Sequence, residues 1–220
     1  RGLVWKEDWW STWLETQFDL PWASFAELSD PYISFGCNFL GITLIALGLL
    51  VWLLTFPRLA ALRWPLWGAV FILALDSFAR LVSSNYDLGM AIEHALQVCA
   101  PAALFFALSK NRSRNCICLL LGIATALTFC GHGLYAMGFH PVPLSYQNMT
   151  MKLLPLEGEA VIRFLLIAGI LDWVAALALL FRPLRVPALL YMTAWGLQTA
   201  LARIFSHAGL HQPLLGLDPW

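Results

Sequence analysis

Six apolar stretches of spanning length, approximately 31 to 56, 64 to 85, 88 to 109, 116 to 138, 159 to 181 and 187 to 208, carry Asp76, Arg80, Glu93, His94, His132, Arg163, Asp172 and Arg203 inside them. An ionisable group in hydrocarbon costs at least about 2.5 to 3.5 kcal/mol, so each of these needs a partner, a cavity or a function. A helix needs roughly 20 mostly apolar residues to cross about 30 Å of hydrocarbon, and all six stretches meet that length. With 60% hydrophobic and 12% charged residues, the chain is far from the composition of a soluble domain. The sequence therefore predicts an all-α polytopic membrane helical bundle. Residues 31–220 supply six transmembrane helices, and residues 1–30 form an interfacial amphipathic segment on the outer face.

The basic residues set the orientation. Arg58 and Arg63, then Lys110, Arg112 and Arg114, then Arg182 and Arg185 fall in alternate connectors, which contain no Asp or Glu. By the positive-inside rule these connectors are cytoplasmic, which puts both termini on the opposite side, periplasmic in a bacterial inner membrane. Acidic residues are confined to the outer segments and the spans, so the concentrated basic face of a nucleic-acid binder is missing. The lipid bilayer is the expected partner. The chain starts at Arg1 without Met or a cleavable signal pattern, as expected of a fragment or a processed form. Cys116 and Cys118 lie near the cytoplasmic end of the fourth span, where reduced thiols are the default.

Before the first span, Trp5, Trp9, Trp10, Trp13, Leu14, Phe18 and Trp22 alternate with Glu7, Asp8, Ser11, Thr12 and Glu15. Helical spacing groups the aromatics on one broad face, suited to the outer headgroup layer or to docking on another membrane subunit. Asp30 followed by Pro31 reads as an N-cap with proline at the first helical position, starting span one.

Counted from the outer ends of their spans, Arg80, Glu93, His94, His132, Arg163 and Arg203 all lie roughly 6 to 9 Å deep at 1.5 Å per residue. Five helices thus place ionisable groups in one layer, while span one has none and is expected to face lipid or a partner. Asp76 and Arg80 are an i, i+4 pair with the acid first, Glu93 and Gln97 are a second, and Glu159 and Arg163 a third. Pro101 cannot donate to the Gln97 carbonyl, so a kink is expected just beneath Glu93. Arg203, His207 and His211 form a stripe on span six. Asp172 lies deeper, and the sequence identifies no partner for it.

The Asp76–Arg80 pair reads first as an internal salt bridge that holds helices together and second as a catalytic dyad. Glu93 beside His94 weighs equally as a functional pair or as a structural network. His132 sits in Gly131-His132-Gly133, whose small neighbours let another helix come close. Its plain role is a hydrogen bond across helices. The sharper one is a ligand shared with His94 at the same depth: a transition metal on Glu93, His94 and His132, or a haem with two axial histidines. The candidate catalytic residues are Glu93, His94 and His132. The candidate substrate-binding residues are Asp76, Arg80, Gln97, Tyr135, Arg163 and Arg203. The segment from Phe139 to Tyr146 is stiffened by Pro141 and Pro143 and is expected to fold over the bundle or pack on the N-terminal tryptophans. Asn148-Met149-Thr150 matches a glycosylation sequon. The chain contains no phosphate-binding glycine loop, no G-x-S-x-G elbow and no H-E-x-x-H.

The run Thr128-Phe129-Cys130-Gly131-His132-Gly133-Leu134-Tyr135-Ala136 resembles the His-Gly helix of the DoxX-like membrane proteins, and Trp195-Gly196 followed by Thr199-Ala200-Leu201-Ala202-Arg203 is similar to a helix end in that group. The resemblance covers roughly Leu119 to Leu217. It implies a redox role near the outer leaflet, with quinone as electron acceptor, and carries over His132 and Arg203. The family's four-helix pattern differs from the six spans expected here. Three classes of function remain: a membrane oxidoreductase subunit with an outer-leaflet pocket for a quinone or small redox substrate, a non-catalytic subunit of a larger membrane complex, and a small proton-coupled transporter. In the first, His94 or His132 donates protons, Arg80 or Arg203 holds an anionic group and Glu93 relays protons.

Overall fold

The computed structural model describes residues 7–54, 56, 63–84, 86–109, 114–139 and 141–208. The expectations that rest on Trp5, Arg58, Lys110, Arg112, His140 and His211 lie outside these. Among the described residues every regular element is helical: α1 (Glu7–Phe18), α2 (Trp22–Leu53), α3 (Pro65–Ser83), α4 (Leu88–Glu93), α5 (Ala95–Ala107), α6 (Arg114–Ala136), α7 (Leu144–Leu153), α8 (Glu159–Ala178) and α9 (Arg185–Ala208). A 3-10 turn at Arg182–Leu184 leads into α9.

Five of these segments are long and apolar enough to cross a membrane: α2, α3, α4 with α5, α6 and α8. The sixth expected span corresponds to α9, which at 24 residues has the length but is not among the five. The reason is chemical. Thr193, Gln198, Thr199, Arg203, Ser206 and His207 break its apolar run.

The helices gather into two compact units, one through Leu121 and the other from Gly122, so α6 contributes to both. In the first unit α1 lies against α2, with Leu14 buried and Trp13 and Phe18 exposed, their rings edge-on at 5.0 Å. Helix α2 starts after Pro21 and runs through Pro31, a turn and more ahead of the start expected at Asp30-Pro31. Proline inside a helix deletes one backbone hydrogen bond but does not prevent the chain on either side from being helical. Asp30 is no cap; its Oδ1 accepts from the Ser34 hydroxyl at 3.5 Å. Thirty-two residues at 1.5 Å each reach about 48 Å, longer than the hydrocarbon layer.

Helix α3 packs on α4 and α5, and Leu66 of α3 and Phe105 of α5 form an apolar core with Leu54. Trp64, Trp67 and Phe106 ring Phe105 at centroid distances of 5.1, 5.5 and 5.7 Å. The Arg63 guanidinium lies 5.3 Å over the Phe105 ring, and its Nη1 donates to the Leu108 carbonyl at the end of α5 at 3.0 Å. Pro101 predicts a kink beneath Glu93, but α5 runs unbroken through Pro101; the helical path breaks instead at His94, seven residues ahead, where φ is −93° and ψ 3°.

In the second unit α6 and α8 cross where Gly133 meets Gly169. A Cβ on Gly133 would stand 2.8 Å from the Gly169 carbonyl oxygen, and one on Gly169 2.7 Å from the Gly133 carbonyl oxygen. Only glycine at both positions allows so close an approach. The Trp173 indole N–H donates to the Cys130 carbonyl across the same crossing at 3.1 Å. Helix α6 ends with Gly138 at φ 79°, and the Gly138 and Phe139 amides turn back to the Tyr135 and Leu134 carbonyls, as glycine-terminated helices do. Pro141 and Pro143 then lead into α7, which packs on α8 and α9.

Candidate functional site

A cavity of about 550 Å³ opens in the second unit, with walls from α6, α7, α8 and α9. Each helix contributes one face. On α8 the buried stripe Val161, Leu165, Ala168, Gly169, Asp172, Ala175 and Ala176 follows helical spacing, and its middle residues line the cavity. On α9 the positions Trp195, Gln198, Thr199 and Ala202 recur at i, i+3, i+4 and i+7. Tyr146, Met149, Thr150 and Leu153 repeat that spacing on α7, which at ten residues is too short to span. Helix α6 adds His132 and Ala136. Ala168, Ala194 and Ala202 are small residues in the walls and leave the space open. The surface is overwhelmingly apolar, which makes its few polar groups selective.

Two polar stations stand in these walls. At the first, the Tyr146 hydroxyl and His132 Nδ1 are 3.1 Å apart and the two rings stack at 5.1 Å. Tyr146 is fixed from behind, because the Thr150 hydroxyl donates to its carbonyl at 2.8 Å. Gln147 Nε2 donates to the Val142 carbonyl at 2.9 Å, and the Lys152 ammonium to the Ser206 carbonyl of α9 at 3.4 Å, so α7 is tied at both ends. At the second station Asp172, 2% exposed, accepts at Oδ1 from the Tyr191 hydroxyl at 3.1 Å, with the Trp195 indole as a further polar contact. Tyr191 stacks on Trp195 at 6.5 Å, and Phe164 closes the aromatic wall at 6.4 Å from Trp195. From the Gly133–Gly169 crossing, His132 is one residue away along α6 and Asp172 three along α8, so both stations lie within about one helical turn of it.

The sequence candidates divide sharply. His132 lines the cavity. Tyr135 is buried one turn along α6. Arg163 pairs with Glu159 at 2.9 Å, as its spacing predicts, but on an exposed face, and Arg203 is likewise exposed; neither lines the cavity. In the first unit Arg80 Nε and Asp76 Oδ2 form the expected pair at 2.9 Å, half-exposed. Glu93 and His94 are buried, and the His94 Nδ1–H donates to the Met90 carbonyl at 2.7 Å. Gln97 is exposed on α5, so it does not share the burial of Glu93. Among the described residues no three His, Cys, Asp or Glu side chains form a group that could hold a metal ion. The Nδ1 atoms of both His94 and His132 already face oxygen partners. The sequon is helical, with Thr150 buried against Tyr146, a poor substrate for a modification of extended surface loops.

Sequence reasoning did not single out Tyr146 as a site residue, nor Tyr191, Trp195 and Gln198. The signal was there: Tyr191 and Trp195 are i, i+4 on a helix otherwise dominated by aliphatic residues, and a polar-aromatic face on a span points inward. Chemically, the site can hold a compact apolar body and offer hydrogen bonds at two stations; among the described residues no Lys or Arg lines it. No protein family, curated protein or solved structure matches this chain.

Proposed function

We propose that this integral membrane protein binds a quinone or a similar small redox-active molecule in the cavity of its second unit, as a subunit of a membrane oxidoreductase. The observation that carries this reading is the apolar cavity of about 550 Å³ with the His132–Tyr146 station in its wall. A quinone ring is flat, apolar on both faces and polar only at two carbonyl oxygens. The Tyr146 and His132 pair supplies an O–H or N–H to one of them, and the Gln198 side-chain amide stands as a donor elsewhere in the wall. Both His132 and Tyr146 exchange protons readily, as reduction of a quinone to a quinol requires.

In this reading α9 is the sixth span, its polar face turned to the cavity and its apolar face to lipid. Both termini are periplasmic in a bacterial inner membrane, as the basic connectors suggest. The DoxX-like resemblance of the segment around His132 points the same way. The test is binding of menadione to the protein in lipid nanodiscs. Tyr146→Phe and His132→Ala should each weaken binding by roughly five- to tenfold, the size of one lost hydrogen bond. Menadione retention no greater than that of empty nanodiscs sinks the proposal.

A second reading has its own observation. Helix α2 has no buried residue among those described, and a subunit of a larger complex would place such a helix against a partner. Purification in mild detergent followed by the menadione assay separates the two, since a non-catalytic subunit should emerge with stoichiometric companions and without menadione binding.

A further inference from the structure

Asp172 is the feature that the quinone reading leaves unused. Its side chain is 2% exposed, sits mid-helix in α8 and contributes to the cavity wall. Its contacts are neutral: the Tyr191 hydroxyl at 3.1 Å and the Trp195 indole. Among the described residues no Lys or Arg lines the cavity, and the nearest in sequence, Arg163, Arg182 and Arg185, lie on exposed faces, as does Arg203. A carboxylate held in an apolar interior without a cation is costly, and a positive charge brought to it recovers much of that cost. The surrounding wall is suited to receive one. Trp195, Phe164 and Tyr146 line the same space, and cations are attracted to aromatic rings of this kind. An anion meets the opposite situation, with a carboxyl in the wall and nothing positive to offset it.

We propose that the cavity also binds lipophilic organic cations of the protonated-amine class, with Asp172 as the counter-ion and Trp195, Phe164 and Tyr146 as the aromatic wall. This rests on the cavity being a ligand site, as in the quinone reading, but not on the ligand being a quinone. Tyr191 holds one carboxylate oxygen in place and so presets the direction from which an ammonium N–H approaches. The volume accommodates a bicyclic aromatic body with a one-carbon arm.

The experiment uses the whole chain in nanodiscs and three shape-matched probes: 1-naphthylmethylamine, 1-naphthalenemethanol and 1-naphthoate, with menadione run in parallel. The wild type should bind the amine about tenfold more tightly than the alcohol, and the naphthoate least. Asp172→Asn keeps an acceptor for Tyr191 and should bring the amine down to the level of the alcohol. Equal binding of amine and alcohol by the wild type overturns the proposal, as does a preference that survives in Asp172→Asn. If Asp172→Asn does not fold, Ala168→Phe, which narrows the cavity one helical turn from Asp172 and keeps the carboxylate, must reduce the amine preference; its full persistence also overturns the proposal. Menadione binding without amine preference leaves the quinone reading standing alone, and amine preference without menadione binding does the reverse.

Discussion

Helices α2 and α8 are equally hydrophobic over their most apolar windows, with mean hydropathies of 2.0 and 2.1, yet 0% of the first window and 39% of the second is buried. Hydropathy measures how readily a segment leaves water. It does not say whether the segment will touch another helix, because lipid tails are as apolar as leucine. What differs is where the small residues meet something. Gly36, Gly41 and Gly48 of α2 have open space where a side chain would be, whereas Gly169 of α8 faces the backbone of Gly133. Helix α8 also carries Asp172 on its buried face, and α2 carries no charge along its apolar length.

The contrast is most directly broken at the glycines. Gly169→Val should destabilise the protein by about 1–3 kcal/mol or more, because the new side chain meets backbone that cannot swing aside. Gly41→Ala in α2 should stay within about 0.5 kcal/mol. Thermal unfolding in detergent micelles reads both, and equal losses would dissolve the distinction between the two helices. Next in size, Asp172→Ala and Tyr191→Phe should show a coupling of about 0.6–1.7 kcal/mol in a double-mutant cycle, the range for hydrogen bonds between helices in membranes. A coupling of zero would mean that the two side chains act independently. Tyr146→Phe should cost about 0.5–1.5 kcal/mol and speed amide exchange across residues 144–153, where α7 loses its tie to His132. The smallest effect is expected from Glu159→Gln: its ion pair with Arg163 is 76% and 86% exposed, so its removal should change stability by no more than about 0.3–0.5 kcal/mol.

The parts of the molecule that could be read in advance are those fixed by local spacing. Five of the apolar spans follow from length and composition, and the pairs Asp76–Arg80 and Glu159–Arg163 from the i, i+4 rule. His132 among glycines pointed to a close helix crossing, and Gly133 is the residue that makes it. Depth along a span, by contrast, says nothing about rotation. Arg163 and His132 were placed in one layer, yet only His132 turns to the cavity. The partner of Asp172 lies 19 residues away on α9, a pairing set by how two helices pack rather than by any repeat in the sequence. Helix α7 escaped because it is too short and too polar to register as a span, although it supplies Tyr146. Helix α9 reads as a sixth span from its length, but it is less apolar than the other five because of polar residues that include Gln198 and Thr199, which make it a wall of the cavity.

A helix that is tied down at both ends has a kinetic meaning. Helix α7 is held by Tyr146 to His132 at one end and by Lys152 to Ser206 at the other. A ligand that must displace α7 to reach the cavity breaks both bonds, whereas one that slips between helices from the acyl chains breaks neither. The rate of that second route scales with the mole fraction of solute in the lipid, while the final occupancy is the same by either path. Of two ligands with identical contacts inside the cavity, the oilier would load faster.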